Sequence, residues 1–263
     1  MSTLAGKVAI VGGSSQGIGY AIARRLAGDG ADVALVARRA EPLEAAASRI
    51  RDETGRHAFA VAADIRKAAD CERIIAEPLA HFGRLDILVN NDGAPPLGEL
   101  MSFDDAAWDK AWQQNFMSVV RLTRGAVPAM RAAGGGRIVN ITALSVLQPM
   151  AKFGLSVATW AGVIGYAKTL SLEVAADNIT VNTICPGRIA TGRLAKVFGP
   201  DGVGPSAVEQ DAAIAAVQKE IPLGRFGQPE EIAGLVALLV SATGGYITGA
   251  TLHVDGGRRA NLL

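Results

Sequence analysis

Charge is scarce in this chain, and what there is nearly cancels. The 26 Lys and Arg against 25 Asp and Glu leave a formal net charge of +1, and charged residues make up only 19% of the 263. No basic run exceeds a pair such as Arg38-Arg39 or Arg258-Arg259, so the sequence builds no field to hold nucleic acid or an anionic membrane. Cysteine is nearly missing too. Cys71 and Cys185 stand far apart with no metal or redox spacing, which argues against a disulfide scaffold and a zinc site and fits a reducing cytoplasm. Met1 leads through a short polar stretch straight into Lys7–Val11, leaving no room for a charged n-region and long apolar core, so secretion is not expected. One uncharged run, Ile232–Leu252, is long enough to cross a bilayer. Ala242-Thr243-Gly244-Gly245 breaks it with a turn signal into a helix, Glu230–Ser241, and a strand, Ala250–Val254.

What the chain has in quantity is apolar residues, 49%, and 31 glycines, the composition of a buried sheet with many tight turns. Apolar β-branched runs fall at Lys7–Val11, Asp32–Ala37, His57–Ala62, Leu85–Asn90, Gly136–Thr142, Thr180–Cys185 and Ala250–Val254. Helical patterns lie between them at Gly17–Gly28, Glu41–Glu53, Ala68–Phe82, Asp104–Ala133, Leu155–Ala176 and Glu230–Ser241. This alternation predicts an α/β fold: a doubly wound, Rossmann-type three-layer sandwich around a seven-stranded parallel sheet. No linker-like shift appears before Gly187, so residues 1–263 are expected to form a single domain. Within it, 192–227, with scattered Gly and Pro around a candidate helix at Ser206–Lys219, reads as a lid or as an ordinary surface excursion.

Directly after the first strand comes Gly12-Gly13-Ser14-Ser15-Gln16-Gly17-Ile18-Gly19. A glycine-rich turn there lets backbone approach a pyrophosphate and aims helix N–H groups at it. The second strand ends in Arg38-Arg39, with no carboxylate where an NAD site would hold the ribose hydroxyls. Arg38 therefore favours NADPH over NADH through a charge-assisted bond to the 2′-phosphate, the competing reading being a solvated surface arginine.

These residues and several downstream motifs resemble the short-chain dehydrogenase/reductase family, near its β-ketoacyl carrier-protein reductase branch, over essentially the whole length. The turn is similar to the family's Thr-Gly-x-x-x-Gly-x-Gly, with Gly12 in place of the threonine, which puts Gly13, Ser15, Gln16, Gly17, Ile18 and Gly19 along the cofactor. Asp64-Ile65 match the pair that contacts adenine. Asn90-Asn91-Asp92-Gly93 resembles Asn-Asn-Ala-Gly and implies that Asn91 and Gly93 lie along the dinucleotide. Asp92 departs from it, placing a carboxylate that weakens cofactor binding unless it points outward as a solvated turn residue. Pro186-Gly187-Arg188-Ile189-Ala190-Thr191 resembles the Pro-Gly loop, implying nicotinamide and phosphate contacts through Ile189 and Thr191. Asp255-Gly256-Gly257 matches a motif with structural and oligomeric roles.

The resemblance also implies a tetrad of Asn, Ser, Tyr and Lys, because an alkoxide formed by hydride transfer must be polarised and protonated. Asn115 fits it. Gly165-Tyr166-Ala167-Lys168 fixes the helix register, which leaves Ala143 at the serine position, Ser156 at the tyrosine position and Trp160 at the lysine position. An aliphatic hydroxyl with no ammonium beside it is a poor general acid. Tyr166 lies about 15 Å along the helix from Ser156, and Lys168 is farther still. Ser145, by a shifted loop register, and Lys152, by folding back, are the candidates to stand in. Trp160 either stacks on a flat ligand or fills the lysine's volume against the sheet. His57, His81 and His253 stand alone, and no metal is expected.

Three functional readings follow: an NADP(H)-dependent oxidoreductase on a carbonyl or alcohol, a non-catalytic nucleotide-binding or oligomer-scaffold relative, and a lyase or hydratase for which no residue speaks. The partners expected are a small-molecule substrate and further copies of the chain, as a homodimer or homotetramer, with no nucleic acid and no membrane.

Overall fold

Seven parallel strands form one sheet in the order β3-β2-β1-β4-β5-β6-β7. The computed structural model describes residues 4–192 and 214–261. The strands are β1 Val8–Gly12, β2 Asp32–Ala37, β3 Ala58–Ala62, β4 Ile87–Asn91, β5 Gly136–Ile141, β6 Ile179–Pro186 and β7 Thr251–Val254. The three-layer doubly wound fold expected from the sequence is present.

The core sits on both faces of the sheet, and side-chain alternation assigns each residue to one of them. Ala9, Val11, Val33, Leu35, Ile87 and Val89 face α1 (Gly17–Gly28), α2 (Ala40–Thr54) and α7 (Pro229–Val240). Ile10, Ala34, Val36, Leu88 and Ile138 face α3 (Ala68–Phe82), α5 (Ser118–Ala132) and the end of α6 (Gly154–Glu173). Local chemistry sets the helix limits. Gly55 and Gly83, at φ +66° and +77°, end α2 and α3 in the left-handed region, where glycine carries no Cβ penalty. Asp104 opens α4 (Asp105–Trp112) by accepting from the Ala107 N–H at 2.8 Å, and Pro229 stands in the first turn of α7.

The uncharged run Ile232–Leu252 divides as expected into α7 and β7. Among the described residues no helix is long and apolar enough to cross a membrane. Two helix expectations need correction. Asp104–Ala133 is not one α-helix: Gln113–Met117 is a π-turn between α4 and α5, an inserted residue that periodicity over a long window averages away. The helix expected to reach Ala176 ends at Glu173, and a 3-10 turn, Ala175–Asp177, brings Asn178 to φ +57° ahead of β6. Residues 193–213, which hold most of the expected lid and the start of its helix, lie outside the described residues. Residues 214–219 are helical, and Gly227 is strapped to the loop after β6 by Ala190 N–H to Gly227 O and Gly227 N–H to Arg188 O, at 2.8 and 2.9 Å.

Candidate active site

Strand order reverses between β1 and β4, and the C-terminal ends of β1, β4, β5 and β6 open there into one cleft, the place where doubly wound sheets bind ligands. The turn after β1 is built for close backbone approach. A Cβ on Gly12 would lie 2.7 Å from the Asn91 carbonyl oxygen, and one on Gly19 would lie 2.4 Å from that of Gly13. Gly13 and Gly17 adopt φ of +58° and +60°. Asn91 Nδ2 donates to Gly12 O at 3.0 Å, clamping the turn from β4. Ser14, to which the sequence reading assigned no role, clamps it from the other side. Its buried hydroxyl donates to Val11 O at 2.8 Å and accepts from Val36 N–H at 2.9 Å. A glycine cradle with N–H groups at the start of α1 fits a dinucleotide pyrophosphate. Ser15 and Gln16 stand in this turn, Gln16 as the residue preceding α1.

At the β2 end Arg38 is exposed, with no hydrogen bond among the described residues. Asp64 is held by Arg66, whose Nε bonds both carboxylate oxygens at 2.9 and 3.1 Å. That pairing, with Arg38 contributing at longer range, keeps the Asp64 carboxyl below its ordinary pKa. Ile65 is half-buried against the face covered by α3 and α5, and its carbonyl accepts from Cys71 Sγ.

Farther along, Ile18, Asn91, Thr142, Pro186, Gly187, Ile189 and Thr191 line a cleft of roughly 950 Å³, its open mouth included. The methyl of Thr191 lies 3.4 Å from where a Cβ of Gly17 would stand, so the Pro-Gly loop and the glycine turn meet. Gly187 packs against Asp255, whose Cα would be 2.8 Å from an added Cβ. Asp255 in turn holds the Gly257 and Arg259 N–H groups at 3.0 and 2.7 Å. Gly93 is exposed outside the lining, and its carbonyl accepts from Gln114 Nε2. Asp92 is half-buried and lines the cleft, which corrects the reading of it as a solvated turn residue.

The candidate proton-transfer residues are only partly brought together. Ser145 and Ser156 are each 1% exposed and line the cleft, and both hydroxyls lack a hydrogen-bond partner. Ala143 lines it too. Trp160, 6% exposed, packs with Val119 and Val163 against Phe116 and Val146 and fills the wall beside them. Asn115, on the π-turn, lines a small internal cavity behind Asn91 and Trp160 rather than the cleft, and donates to Thr159 Oγ1 at 3.0 Å. Lys152 does not fold back: it is exposed at φ +68°. Tyr166 stands edge-on to Phe116, and burial, helped by Glu173, pushes its phenol above the ordinary pKa. Among the described residues no tyrosine or lysine lines the cleft. His81 stacks on Phe59, and no cluster of metal-ligating side chains occurs among the described residues.

Two arginines in the cleft were not singled out from sequence. Arg188 and Arg258 both line it, and nothing local in Pro-Gly-Arg or Gly-Gly-Arg-Arg signals that these side chains point inward.

Comparison with known proteins agrees with this architecture. The family model described as Enoyl-(Acyl carrier protein) reductase matches residues 13–259. The Dehydrogenase/reductase SDR family member 4 of Oryctolagus cuniculus is 36% identical over 260 residues, covering 98% of this chain and 96% of the relative. The 3-oxoacyl-(acyl-carrier-protein) reductase FabG of Escherichia coli (strain K12) is 39% identical over 254 residues, 96% of this chain and 97% of the relative. A crystal structure of L-sorbose reductase from Gluconobacter frateurii, complexed with NADPH and L-sorbose, superposes with a TM-score of 0.94 at 36% identity over 100% of both chains.

Proposed function

Since this chain belongs to the short-chain dehydrogenase/reductase family, we propose that it is an NADP(H)-dependent oxidoreductase acting slowly on a carbonyl or alcohol substrate. The observation that carries this is that Ile18 of the glycine turn and Thr191, which meets Gly17 of that turn, line the same cleft as the two unpartnered hydroxyls of Ser145 and Ser156.

When bound, the nicotinamide cofactor supplies the hydride. The chain's own part is to hold it and to manage the substrate oxygen. The N–H groups at the start of α1 and Thr191 take the phosphates. Arg38, exposed beyond β2, takes the 2′-phosphate and sets the preference for NADPH over NADH. The relative solved with NADPH supports that choice of cofactor. Ser145 and Ser156 donate to the substrate oxygen, each having an O–H with no competing acceptor. Neither is a strong acid, and Trp160 brings no cation to make one. Losing a positioned acid costs about 10²–10⁴ in rate, so turnover is expected to sit that far below what a phenol and ammonium would give.

A second reading, a nucleotide-binding relative without turnover, is favoured by the lining itself, which has an indole, a methyl and a hydroxyl at the three positions. One series separates the two. NADPH and NADH are titrated by fluorescence, and turnover is then measured on a ketone panel. Tight NADPH binding, an NADPH preference lost in Arg38→Ala and slow turnover support the oxidoreductase. Binding without turnover supports the second reading. Ala143→Ser, Ser156→Tyr and Trp160→Lys combined should raise the rate by about 10²–10⁴. A triple variant that binds NADPH and stays inert refutes the account of the defect.

A further inference from the structure

Among the described residues Arg188 is a cation with no hydrogen-bonded anion. It follows Pro186-Gly187 at the end of β6 and lines the cleft. Its guanidinium makes no hydrogen bond among the described residues, and its Nε is shielded from solvent. The Phe153 ring lies 6.0 Å from its carbon, the outer limit of a cation–π contact. Burial, and then the neighbouring Arg258, pull its pKa below the ordinary guanidinium value, with only Glu220 opposing them.

Arg258 lines the same wall with its side chain 12% exposed, its Nη2 donating to Glu220 Oε2 at 2.6 Å and its Nη1 reaching Met150 Sδ at 3.4 Å. Glu220 is the exposed member of that pair, at 55%. Asp92 is the carboxylate among the described lining residues, and it rises from the β4 end. Among the described residues, the β6 side of the cleft thus holds two guanidinium groups, one of them paired with Glu220, while the lining's carboxylate, Asp92, stands at the β4 end. Arg188 is half-buried, and a guanidinium partly withdrawn from water without a partner is costly, for which an ion or ligand is an ordinary explanation.

We propose that Arg188 and Arg258 clamp an anionic group of the substrate, so that the protein takes carbonyl compounds carrying a carboxylate. The proposal rests on the oxidoreductase reading for the word substrate, but the clamp itself does not. Guanidinium groups suit a carboxylate because their donors match its two oxygens. Ser145 and Ser156 stand in the same cleft, where the carbonyl end of an oxo acid would find its donors. The residues beside the clamp, Met150 and Phe153, are apolar and suit a short carbon chain.

The test is calorimetric binding of acetoacetate and levulinate, each against its methyl ester, to the full-length protein with and without NADP⁺. An acid should bind at least about tenfold more tightly than its ester, and Arg188→Gln should reduce it to the ester's affinity, a loss of about tenfold to a hundredfold. Arg258→Gln should weaken it in the same direction. Because Arg188 has no hydrogen-bonded partner among the described residues, its variant should melt no lower than the parent, which separates a lost ligand contact from a lost fold. Equal binding of acid and ester, or no binding of either acid, overturns the clamp. So does an Arg188→Gln protein that loses NADP⁺ affinity while keeping the acid, since the arginine would then serve the cofactor's phosphates. Acid binding that survives when NADP⁺ fails to bind upholds the clamp and refutes the cofactor reading alone.

Discussion

At the scale of single residues, the glycines of the first turn show how far local chemistry can be read and where contact takes over. A Cβ at Gly19 would sit 2.4 Å from Gly13 O and 2.7 Å from Gly12 O, both backbone atoms with no freedom to yield. Gly28, near the end of α1, has nothing within 4 Å of an added Cβ. The same substitution should therefore act with opposite signs. Gly19→Ala is expected to cost about 1–3 kcal/mol and to abolish NADPH binding. Gly28→Ala should stabilise by about 0.5–1 kcal/mol and leave binding alone. Urea unfolding and cofactor titration of the pair check this, and a Gly19→Ala protein that still binds NADPH would show that the cradle is not the phosphate site. The glycine pattern was visible in sequence because a sharp turn between strand and helix demands it. The inward aim of Arg188 and the clamping by Ser14 were not, because each depends on a loop or strand brought from elsewhere in the chain.

At the scale of elements, strand and helix periods placed nearly everything, and what they missed were interruptions. The π-turn at Gln113–Met117 carries Asn115, whose amide donates to Thr159, a placement that no hydrophobic count reveals. The pairing of β1 with β4 has a different hidden support. Asp86, with its side chain 4% exposed, bonds Lys7 Nζ at 2.9 Å, Arg84 Nη2 at 2.6 Å and the Val8 N–H at 3.0 Å. Burial alone would raise its pKa, but Arg84, Lys7 and Val8 together bring it below the ordinary value. A carboxyl depressed in the folded state contributes stability above its unfolded pKa and loses it as pH falls through the folded one. Asp86→Asn should therefore cost about 2 kcal/mol at neutral pH, less than a fully buried pair because both cations stay half in water. The loss should shrink as pH falls below the ordinary aspartate range and Asp86 takes up its proton in the folded state. Denaturant midpoints of parent and variant across that range test it, and a gap that stays constant with pH would refute the ion-pair account.

At the scale of the whole molecule, the layering was legible because a parallel sheet buried on both faces leaves continuous apolar strands. The association of copies is proposed from what that layering leaves over. A surface helix ordinarily confines its apolar residues to the face turned to the core. In α6 they run all round: Leu155, Val163 and Ala167 are buried, while Val157, Ala158, Ala161, Ile164 and Leu172 fall on the outer side, Leu172 at 72% exposure. Gly162 lets α6 lie close to Phe116 and Trp112, whose indole is 40% exposed on the adjoining α4. These two helices thus expose small and apolar residues side by side, and exposed apolar residues grouped in that way are the usual mark of an interface. Two copies meeting there would form an isologous contact in which each buries the same residues. Light scattering should accordingly return the mass of a dimer or tetramer. Ala161→Glu, which puts a carboxylate at the centre of the face without touching the cleft, should shift it to the monomer. A parent protein already monomeric at micromolar concentration, or an Ala161→Glu protein with unchanged mass, would remove α6 as the joining surface.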